Sequence, residues 1–305
     1  MPELPEVEIV RLFLQKNIIG KTIAKITILN PNSFIGNFKL AINKKITQLT
    51  RRGKQLSIFL SNDCLLLIHL KMTGQLVYQP CLNQLDTVIP SKAEGSRRNK
   101  HRTFLGHPTP KLNHKPLPNK STRIIFTFSD KSILFFNDQR KFAWVKIIKK
   151  SQLKKSQSNL GPDILSLRFT FKYFYSQLQS SSRPIKNLLH DQSKFAGIGN
   201  IYANDSLFLA KIHPQTPARN ISPKQSQLLY SSIKKIIKEA VSFGGSTARD
   251  NQYIRPDNTK GSQQYNFRVY QKEGELCKRC GHKIVRLKLS GRSAFYCPHC
   301  QKQLE

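Results

Sequence analysis

The chain opens, after its initiator Met1, with Pro2-Glu3-Leu4-Pro5-Glu6-Val7-Glu8, a stretch that places three carboxylates within eight residues. These carboxylates favour a helix that begins near Pro5, because proline suits a first helical turn and acidic groups suit the positive end of the helix dipole. Removal of Met1 would also leave a secondary amine at Pro2. A free α-amino group titrates near ~7.7–8.0, far below a lysine. Pro2 is therefore a candidate nucleophile, and a plain helix start is the alternative.

The composition points to a polyanionic partner. The 305 residues include 51 Lys and Arg against 17 Asp and Glu, which gives a formal net charge of +34. This charge favours nucleic acid over an anionic membrane surface, although abundant Lys, Asn, Ile and Ser are also typical of an A/T-rich genome. No apolar run reaches membrane-spanning length, and the start lacks the pattern of a signal peptide. We expect no membrane association and an intracellular, reducing location, in the cytoplasm and nucleoid or in the DNA-containing compartment of an organelle.

Four of the six cysteines form the C-terminal pattern Cys277-x2-Cys280-x16-Cys297-x2-Cys300. Each short pair can present two thiolates from one knuckle, and two knuckles complete a tetrahedral zinc site of the structural kind. We therefore predict one structural Zn²⁺. Disulfides are the alternative, which the expected compartment disfavours, and a redox role for the second pair is less favoured still. Cys64 lies in an apolar run and is predicted to be a core residue.

Between residues 22 and 148 the sequence alternates short β-prone segments with polar turns such as Ser61-Asn62-Asp63. This pattern predicts an antiparallel β-sandwich, with a helix over residues 6–16 packed on it. The predicted strands cover residues 22–28, 55–60, 64–70, 123–128, 132–136 and 142–148.

Residues 80–120 have a different composition. Prolines at 90, 108, 110, 116 and 118 accompany the basic cluster Arg97-Arg98-Asn99-Lys100-His101-Arg102 and little periodic hydrophobicity. We predict a basic, flexible insertion in the form of a long loop. A solvated surface tail is its simpler interpretation, and an auxiliary DNA clamp is the alternative.

The chain turns helical beyond a linker at 149–159. Ser222-Pro223-Lys224-Gln225 has the form of a capping box, and apolar residues then recur at helical spacing until Gly244-Gly245. Upstream, residues 195–203 join a glycine-rich turn to another helix and would present backbone N–H groups and Asn200 to a phosphate. The predicted fold is α+β, with an N-terminal antiparallel β-sandwich over 2–148, a helical domain over 160–262, and a zinc-bearing β-hairpin over 263–305.

Two further segments have the character of loop tips. Met72 stands where a strand runs into a glycine turn, and a gap-filling core methionine is the alternative. Arg140 and Phe142 follow a later strand and offer a guanidinium and an aromatic ring. Lys54 follows Arg51-Arg52-Gly53, which is either a solvated turn or a support that brings the lysine to a phosphate.

Together these motifs resemble the formamidopyrimidine-DNA glycosylase family, bacterial-type repair enzymes for oxidised purines. The resemblance covers nearly the whole chain outside 80–120, and its opening and its zinc motif are its most specific parts. It implies that Pro2 is the nucleophile that attacks the damaged sugar and that Glu3 is the acid/base. It also implies that residues 195–203 belong to a helix-two-turn-helix domain, whose turn grips the backbone of the damaged strand.

The resemblance also implies roles for the remaining site residues. Lys54 and Arg292 would join Pro2 and Glu3 as catalytic residues, with Arg292 at the tip of the zinc hairpin, where it would enter the minor groove. Glu6 would support the N-terminus through hydrogen bonds to backbone amides. The implied DNA-binding residues are Met72, Arg140, Phe142, Lys186 and Asn200. An enzyme that acts on a base extrudes it from the stack, so Met72 would be the apolar wedge that fills the hole, Arg140 would pair with the orphaned base and Phe142 would stack. The implied metal ligands are Cys277, Cys280, Cys297 and Cys300.

Three positions depart from the family pattern. Lys120-Ser121 stands where the family has a Lys-His dipeptide, a basic residue before Ile185 is displaced, and Ala143 replaces a glycine. These departures bear on individual DNA contacts and not on the chemistry.

The activity implied is that of a bifunctional DNA glycosylase and abasic-site lyase, a monomer that acts on damaged double-stranded DNA. A Pro2 Schiff base would release the oxidised purine and lead to strand cleavage by β,δ-elimination. An endonuclease VIII-like enzyme for oxidised pyrimidines is the nearer alternative, although Leu4 and Phe142 favour the purine branch. A non-catalytic, zinc-containing DNA-binding protein is the alternative of another class, and it leaves the acidic opening unexplained.

Overall fold

The computed structural model describes residues 2–81, 102–106, 115–246 and 262–303. The chain forms two compact units, each with its own apolar core. The N-terminal unit consists of residues 1–2, 6–156 and 244–261, and the C-terminal unit consists of residues 3–5, 157–243 and 262–305. None of the helices in the described ranges is both long and apolar enough to span a membrane.

The N-terminal unit is a ten-stranded sheet with a long helix. Helix α1 covers Leu4–Ile18, and its first two residues belong to the C-terminal unit. A short helix, α2 (Leu153–Ser156), ends the unit's main segment. The strands are β1 (Thr22–Ile28), β2 (Phe34–Ile35), β3 (Lys44–Arg52), β4 (Gln55–Leu60), β5 (Cys64–His69), β6 (Gly74–Gln79), β7 (Thr103–Gly106), β8 (Thr122–Phe128), β9 (Ile133–Asp138) and β10 (Trp144–Lys149).

The strand order is β2-β10-β5-β4-β3-β1-β8-β9-β6-β7, and every pairing except that of β2 with β10 is antiparallel. Two residue pairs, Thr22 with Lys45 and Ile23 with Lys44, join β1 to β3 and so divide the order into two five-stranded halves. A single apolar cluster collects Val10 of α1, Leu56 of one half and Phe126 of the other. Packing of α1 on a mainly antiparallel β-domain is therefore confirmed, and Cys64 belongs to the same core, as predicted.

Strands β1 and β4 coincide with their predicted bounds, and the other four predicted strands differ by one or two residues at their ends. The prediction of a loop throughout 80–120 was wrong at Thr103–Gly106, which pairs with β6. Backbone pairing outweighs the irregular local composition there. Arg102 is buried and donates to Gln79 Oε1 at 2.9 Å, whereas residues 97–101 of the basic cluster lie outside the described residues.

The C-terminal unit is helical and ends in a hairpin. Its helices are α3 (Phe171–Gln179), α4 (Ile185–Leu189), α5 (Asn200–Leu209) and α6 (Pro223–Ser242). The predicted capping box is present at α6, since Ser222 Oγ accepts from Gln225 N at 3.3 Å and Gln225 Oε1 accepts from Ser222 N at 3.2 Å. Strands β11 (Val285–Leu289) and β12 (Arg292–Tyr296) form the antiparallel hairpin. The predicted α+β fold is confirmed.

Candidate active site

Glu3 lies at the N-terminus of α5. Its carboxylate is only 3% exposed, and Oε1 accepts from the backbone N–H of Ile201 at 3.0 Å. A Cβ on Gly199, the residue that precedes the helix, would lie 2.1 Å from Glu3 Cδ, so this approach requires glycine. Because the start of a helix carries partial positive charge, it stabilises the ionised carboxylate.

The same helix start was predicted to present N–H groups and Asn200 to a phosphate. The N–H of Ile201 instead donates to Glu3. Asn200 is half-buried as the first residue of α5, and its backbone oxygen accepts from Asn204 Nδ2 at 2.6 Å. The structure therefore brings Asn200 and Glu3 to one helix end, and at least one of the N–H groups there serves a protein carboxylate.

Pro2 and Glu6 belong to the N-terminal unit, and both are buried. Glu6 Oε1 accepts from the backbone N–H of Ser246 at 3.0 Å. Gly245, with φ +77°, allows the chain to turn so closely past the carboxylate that a Cβ there would lie 3.3 Å from Glu6 Oε1. Glu6 thus binds a backbone amide that is distant in sequence.

Lys54 stands between β3 and β4 and is only 8% exposed. The preceding Arg51 donates through Nε to Glu8 Oε2 and through Nη1 to Gly53 O, both at 2.8 Å. Burial alone would raise the pKa of Glu8, but hydrogen bonds and charge from Arg11 and Arg51 hold that pKa below its ordinary value. The solvated-turn interpretation of this segment was wrong, because long-range ion pairing fixes it.

His69, at the end of β5, is a candidate that the sequence interpretation missed. Burial, followed by the charges of Lys71 and Lys54, lowers the pKa of His69 to about 3. Its Nδ1 accepts from the backbone N–H of Lys71 at 2.9 Å, as a neutral imidazole can. Lys71 lies two residues after His69 in the sequence, but Lys54 lies fifteen residues before it, so only the fold shows that both charges act on the ring.

The expected probing side chains are exposed. Met72 is 42% exposed, so the core-methionine alternative was wrong. Phe142 is 56% exposed, and the Arg140 guanidinium carbon lies 4.9 Å from the centre of its ring. The two residues therefore form one cation–π pair on the surface of the N-terminal unit.

Arg292 begins β12, directly after the hairpin turn of the C-terminal unit. Both central turn residues have positive φ, 48° at Ser290 and 76° at Gly291, as in a type I′ turn. Arg292 is exposed. Beside the turn, Lys186 binds the start of β12, because its Nζ donates to Ser293 O at 2.7 Å. Burial and the charge of Arg292 lower the pKa of Lys186 to about 8, while Glu3 acts in the opposite direction. Lys186 is thus buried against the hairpin.

Two neighbouring polar residues of α5, also missed from the sequence, bind distant backbone: Asn204 binds the hairpin, and Asp205 binds residues 268–270, which precede it. Asn204 Oδ1 accepts from the backbone N–H of Phe295 at 2.8 Å. The fully buried Asp205 accepts from the backbone N–H groups of Arg268, Val269 and Tyr270 at 3.0–3.1 Å. Burial raises the pKa of Asp205, and the three backbone hydrogen bonds oppose that rise.

The four C-terminal cysteines form a cluster that could hold a metal ion. Sγ of Cys280 lies 3.4 Å from Sγ of both Cys297 and Cys300, and Sγ of Cys277 lies 3.9 Å from that of Cys300. Tetrahedral Zn–S bonds of ~2.3 Å require S···S edges of about 3.8 Å. These thiol separations are much longer than a disulfide of ~2.05 Å and therefore fit the predicted zinc site.

Three family models match the chain. The formamidopyrimidine-DNA glycosylase N-terminal domain matches residues 1–145, and the H2TH domain of the same glycosylase matches residues 160–252. The zinc finger found in FPG and IleRS matches residues 274–303.

Individual relatives and solved structures agree with these matches. The formamidopyrimidine-DNA glycosylase of Pelotomaculum thermopropionicum is 35% identical over 99% of both chains. A Lactococcus lactis Fpg in complex with DNA containing an abasic site superposes with a TM-score of 0.81 and 30% identity, over 99% of this chain and 100% of that one. The L. lactis protein with DNA containing Fapy-dG gives 0.80, 30% and the same coverage. With a relative above 30% identity along its full length and a matching architecture in both units, this chain belongs to the formamidopyrimidine-DNA glycosylase family.

Proposed function

We propose that the chain is a base excision repair enzyme, a bifunctional DNA glycosylase and abasic-site lyase that removes oxidised purines from double-stranded DNA. The observation that carries this proposal is full-length similarity to formamidopyrimidine-DNA glycosylases, with structural relatives bound to Fapy-dG and abasic-site DNA. The charge of +34 supports a nucleic acid as the partner.

In the proposed reaction, the amine of Pro2 attacks C1′ of the extruded nucleotide after Met1 has been removed. The C1′–N bond to the base breaks, and the Pro2 nitrogen gives up its proton as the new bond forms. The Glu3 carboxylate is the candidate base that takes this proton and then, as the acid, delivers it to the departing purine. Sugar opening then gives an iminium ion between Pro2 and C1′. Since about a tenth of an α-amino group is deprotonated near neutral pH, against almost none of a lysine, Pro2 is a suitable nucleophile.

The iminium is an electron sink that acidifies the C2′ proton. Loss of that proton expels the 3′ phosphate by β-elimination, and a second proton loss expels the 5′ phosphate by δ-elimination. We assign Lys54 and Arg292 to phosphate and proton handling, with Glu6 as support. Arg140 and Phe142 would occupy the space of the extruded nucleotide together with Met72, while Lys186 and Asn200 would contribute to DNA binding.

The four cysteines would hold one structural Zn²⁺, which closes the knuckles and takes no part in the bond-breaking steps. The protein is expected to act as a monomer, since one copy carries every residue assigned here.

Borohydride trapping tests the proposal. Protein lacking Met1 is incubated with a duplex containing 8-oxoguanine opposite cytosine, beside an undamaged duplex and one with an oxidised pyrimidine. We expect a covalent adduct on the 8-oxoguanine duplex, mapped to Pro2 by peptide sequencing, because borohydride reduces the iminium. Pro2→Gly should weaken the adduct, because it replaces the secondary amine of the ring with a less constrained primary amine, and Pro31→Gly, at an exposed proline in the same unit, should keep it at the wild-type level. An adduct confined to the pyrimidine duplex would support the other branch, and DNA binding without any adduct would leave a non-catalytic protein.

A further inference from the structure

Two surface loops of the N-terminal unit leave the same end of one strand pair. The wedge loop, residues 71–73, leads into β6, and the reading loop, residues 139–143, follows β9. Strands β6 and β9 are antiparallel, with Gly74 directly opposite Asp138. Each loop contains a non-glycine residue with left-handed backbone, Lys71 at φ 51° and Lys141 at φ 60°. Such conformations are costly for residues with a Cβ, so both loops need local restraints.

The side chain of Asp138 supplies restraints to both loops at once. Its Oδ1 accepts from the hydroxyl of Thr73 in the wedge loop and from the N–H of Arg140 in the reading loop, the latter at 3.2 Å. Its Oδ2 accepts from the N–H of Ala143 at 2.7 Å. The N–H of Arg140 also lies 3.2 Å from Thr73 Oγ1, which closes a triangle of Asp138, Thr73 and Arg140.

The carboxylate is fixed in turn. Asp138 is 1% exposed, its N–H donates to Ser121 O at 2.8 Å, and its carbonyl accepts from Arg123 Nε at 2.7 Å. Hydrogen bonds to a buried charged group are stronger than neutral ones, and removal of one partner leaves the other unsatisfied. The anchor is therefore rigid, whereas Met72 and Phe142 at the loop tips are exposed.

We propose that Asp138 is a positioning residue that couples the wedge loop to the reading loop, so that Met72, Arg140 and Phe142 enter an opened duplex together. This inference rests on the proposed function, because it concerns how that enzyme probes damaged DNA. Asp138 itself is buried and acts through Thr73 and through the backbone of the reading loop. Thr73 is the other residue on which this coupling depends, since its hydroxyl joins the wedge loop to the carboxylate of Asp138.

The first test needs no DNA. Thr73→Val keeps the shape of the side chain and removes the hydroxyl, while Thr73→Ser retains the hydroxyl. Asp138→Asn replaces one acceptor oxygen with a donor that faces either Ala143 N or Thr73. In Asp138→Asn, hydrogen exchange should accelerate about tenfold at whichever of the Arg140 and Ala143 amides loses its acceptor oxygen. Exchange at Arg140 should accelerate by a similar factor, about tenfold, in Thr73→Val and stay near wild type in Thr73→Ser. Thr127→Val, a half-buried threonine of β8, is the matched control.

The second test uses a duplex with 2-aminopurine beside the lesion, whose fluorescence reports insertion of the wedge. We expect insertion to slow about tenfold in Thr73→Val and Asp138→Asn, with recovery in Thr73→Ser. Cleavage of a preformed abasic site in single-stranded DNA, which has no opposite strand to probe, should stay within about twofold of wild type in Thr73→Val.

The outcomes separate the two proposals. Wild-type insertion rates in both variants, or a parallel loss of single-strand cleavage, would overturn the positioning role. Unchanged amide exchange in Asp138→Asn would overturn it as well. A wild-type protein that shows no lesion-dependent signal would contradict the proposed function instead, and the exchange experiment would then decide whether Asp138 couples the loops.

Discussion

The two units each present exposed side chains on a buried anchor, but the anchors differ in kind. In the N-terminal unit, Met72 and Phe142 stand on loops tied to one another by the carboxylate of Asp138. In the C-terminal unit, Arg292 stands on a hairpin attached through Asn204 and through a cluster of four thiols. The first anchor is made of side-chain and backbone hydrogen bonds, and the second combines a hydrogen bond with four thiols that could hold a metal ion. We therefore expect metal removal to disrupt the hairpin but not the two loops, and loss of the Asp138 hydrogen bonds to disrupt the loops but not the hairpin.

Of the changes considered, metal removal should produce the largest difference in hydrogen-exchange protection between the hairpin and the reading loop. Chelation is expected to abolish hydrogen-exchange protection in the hairpin and to weaken DNA binding strongly, because structural zinc supplies ~10–16 kcal/mol to small zinc domains. Exchange in the reading loop should not change. Cys297→Ser should reproduce the effect, and Cys81→Ser, at an exposed thiol outside the cluster, should not. Equal loss of protection in both regions on chelation would show that the anchors are not independent.

Asp205→Asn should have the next largest effect. The amide keeps one acceptor oxygen and turns a donor towards three backbone N–H groups, so one of them loses its partner. We expect the free energy of unfolding of the C-terminal unit to fall by about 2–3 kcal/mol, measured by urea titration. Asp191→Asn, at a more exposed ion pair with Arg183, should cost less than about 1 kcal/mol. A similar loss of unfolding free energy in both variants would mean that burial does not make the Asp205 hydrogen bonds more stabilising than the exposed ion pair.

The smallest expected effect is a pH-dependent loss of stability through Glu8. The pKa of Glu8 is held below its ordinary value in the folded N-terminal unit, so its ion pairs stabilise that unit above the unfolded pKa near 4.5 and are lost as pH falls through the folded value. Glu8→Gln should therefore lower unfolding free energy by about 1 kcal/mol at pH 7 and by less at pH 3. Urea titrations at both pH values measure this difference. A constant deficit at both pH values would assign the loss to packing.

The sequence predicted those parts of the fold in which local pattern and tertiary packing agree. β1 and β4 are short β-prone segments between clear turns, and the helix from Pro223 has both a capping box and a glycine stop. β3 was missed because Lys44, Lys45, Arg51 and Arg52 surround its few apolar residues. β7 was missed because its four residues are too few to show a strand pattern, and they form a strand by pairing with β6.

The candidate site shows the same division. Residues whose chemistry is visible in a short motif, such as the cysteine quartet, could be proposed from spacing alone. Asp138 lies only two residues before Arg140, which the sequence did suggest, yet its bond to Thr73 spans 65 positions and only the strand register creates it. Asp205 likewise binds amides 63–65 residues away. Supporting polar residues are defined by long-range geometry, which a single sequence does not display.

Because Gly199 lies so close to Glu3, the proposed chemistry of Glu3 depends on residue 199 being glycine. A methyl group on residue 199 would need the space of the Glu3 carboxyl carbon, at 2.1 Å. The start of α5 can therefore accommodate the carboxylate or a side chain, but not both. Natural selection at this glycine would act on the proposed proton transfer, although glycine has no group able to move a proton. A map of tolerated substitutions would place Gly199 among the catalytic residues, whereas a search by functional groups would pass over it.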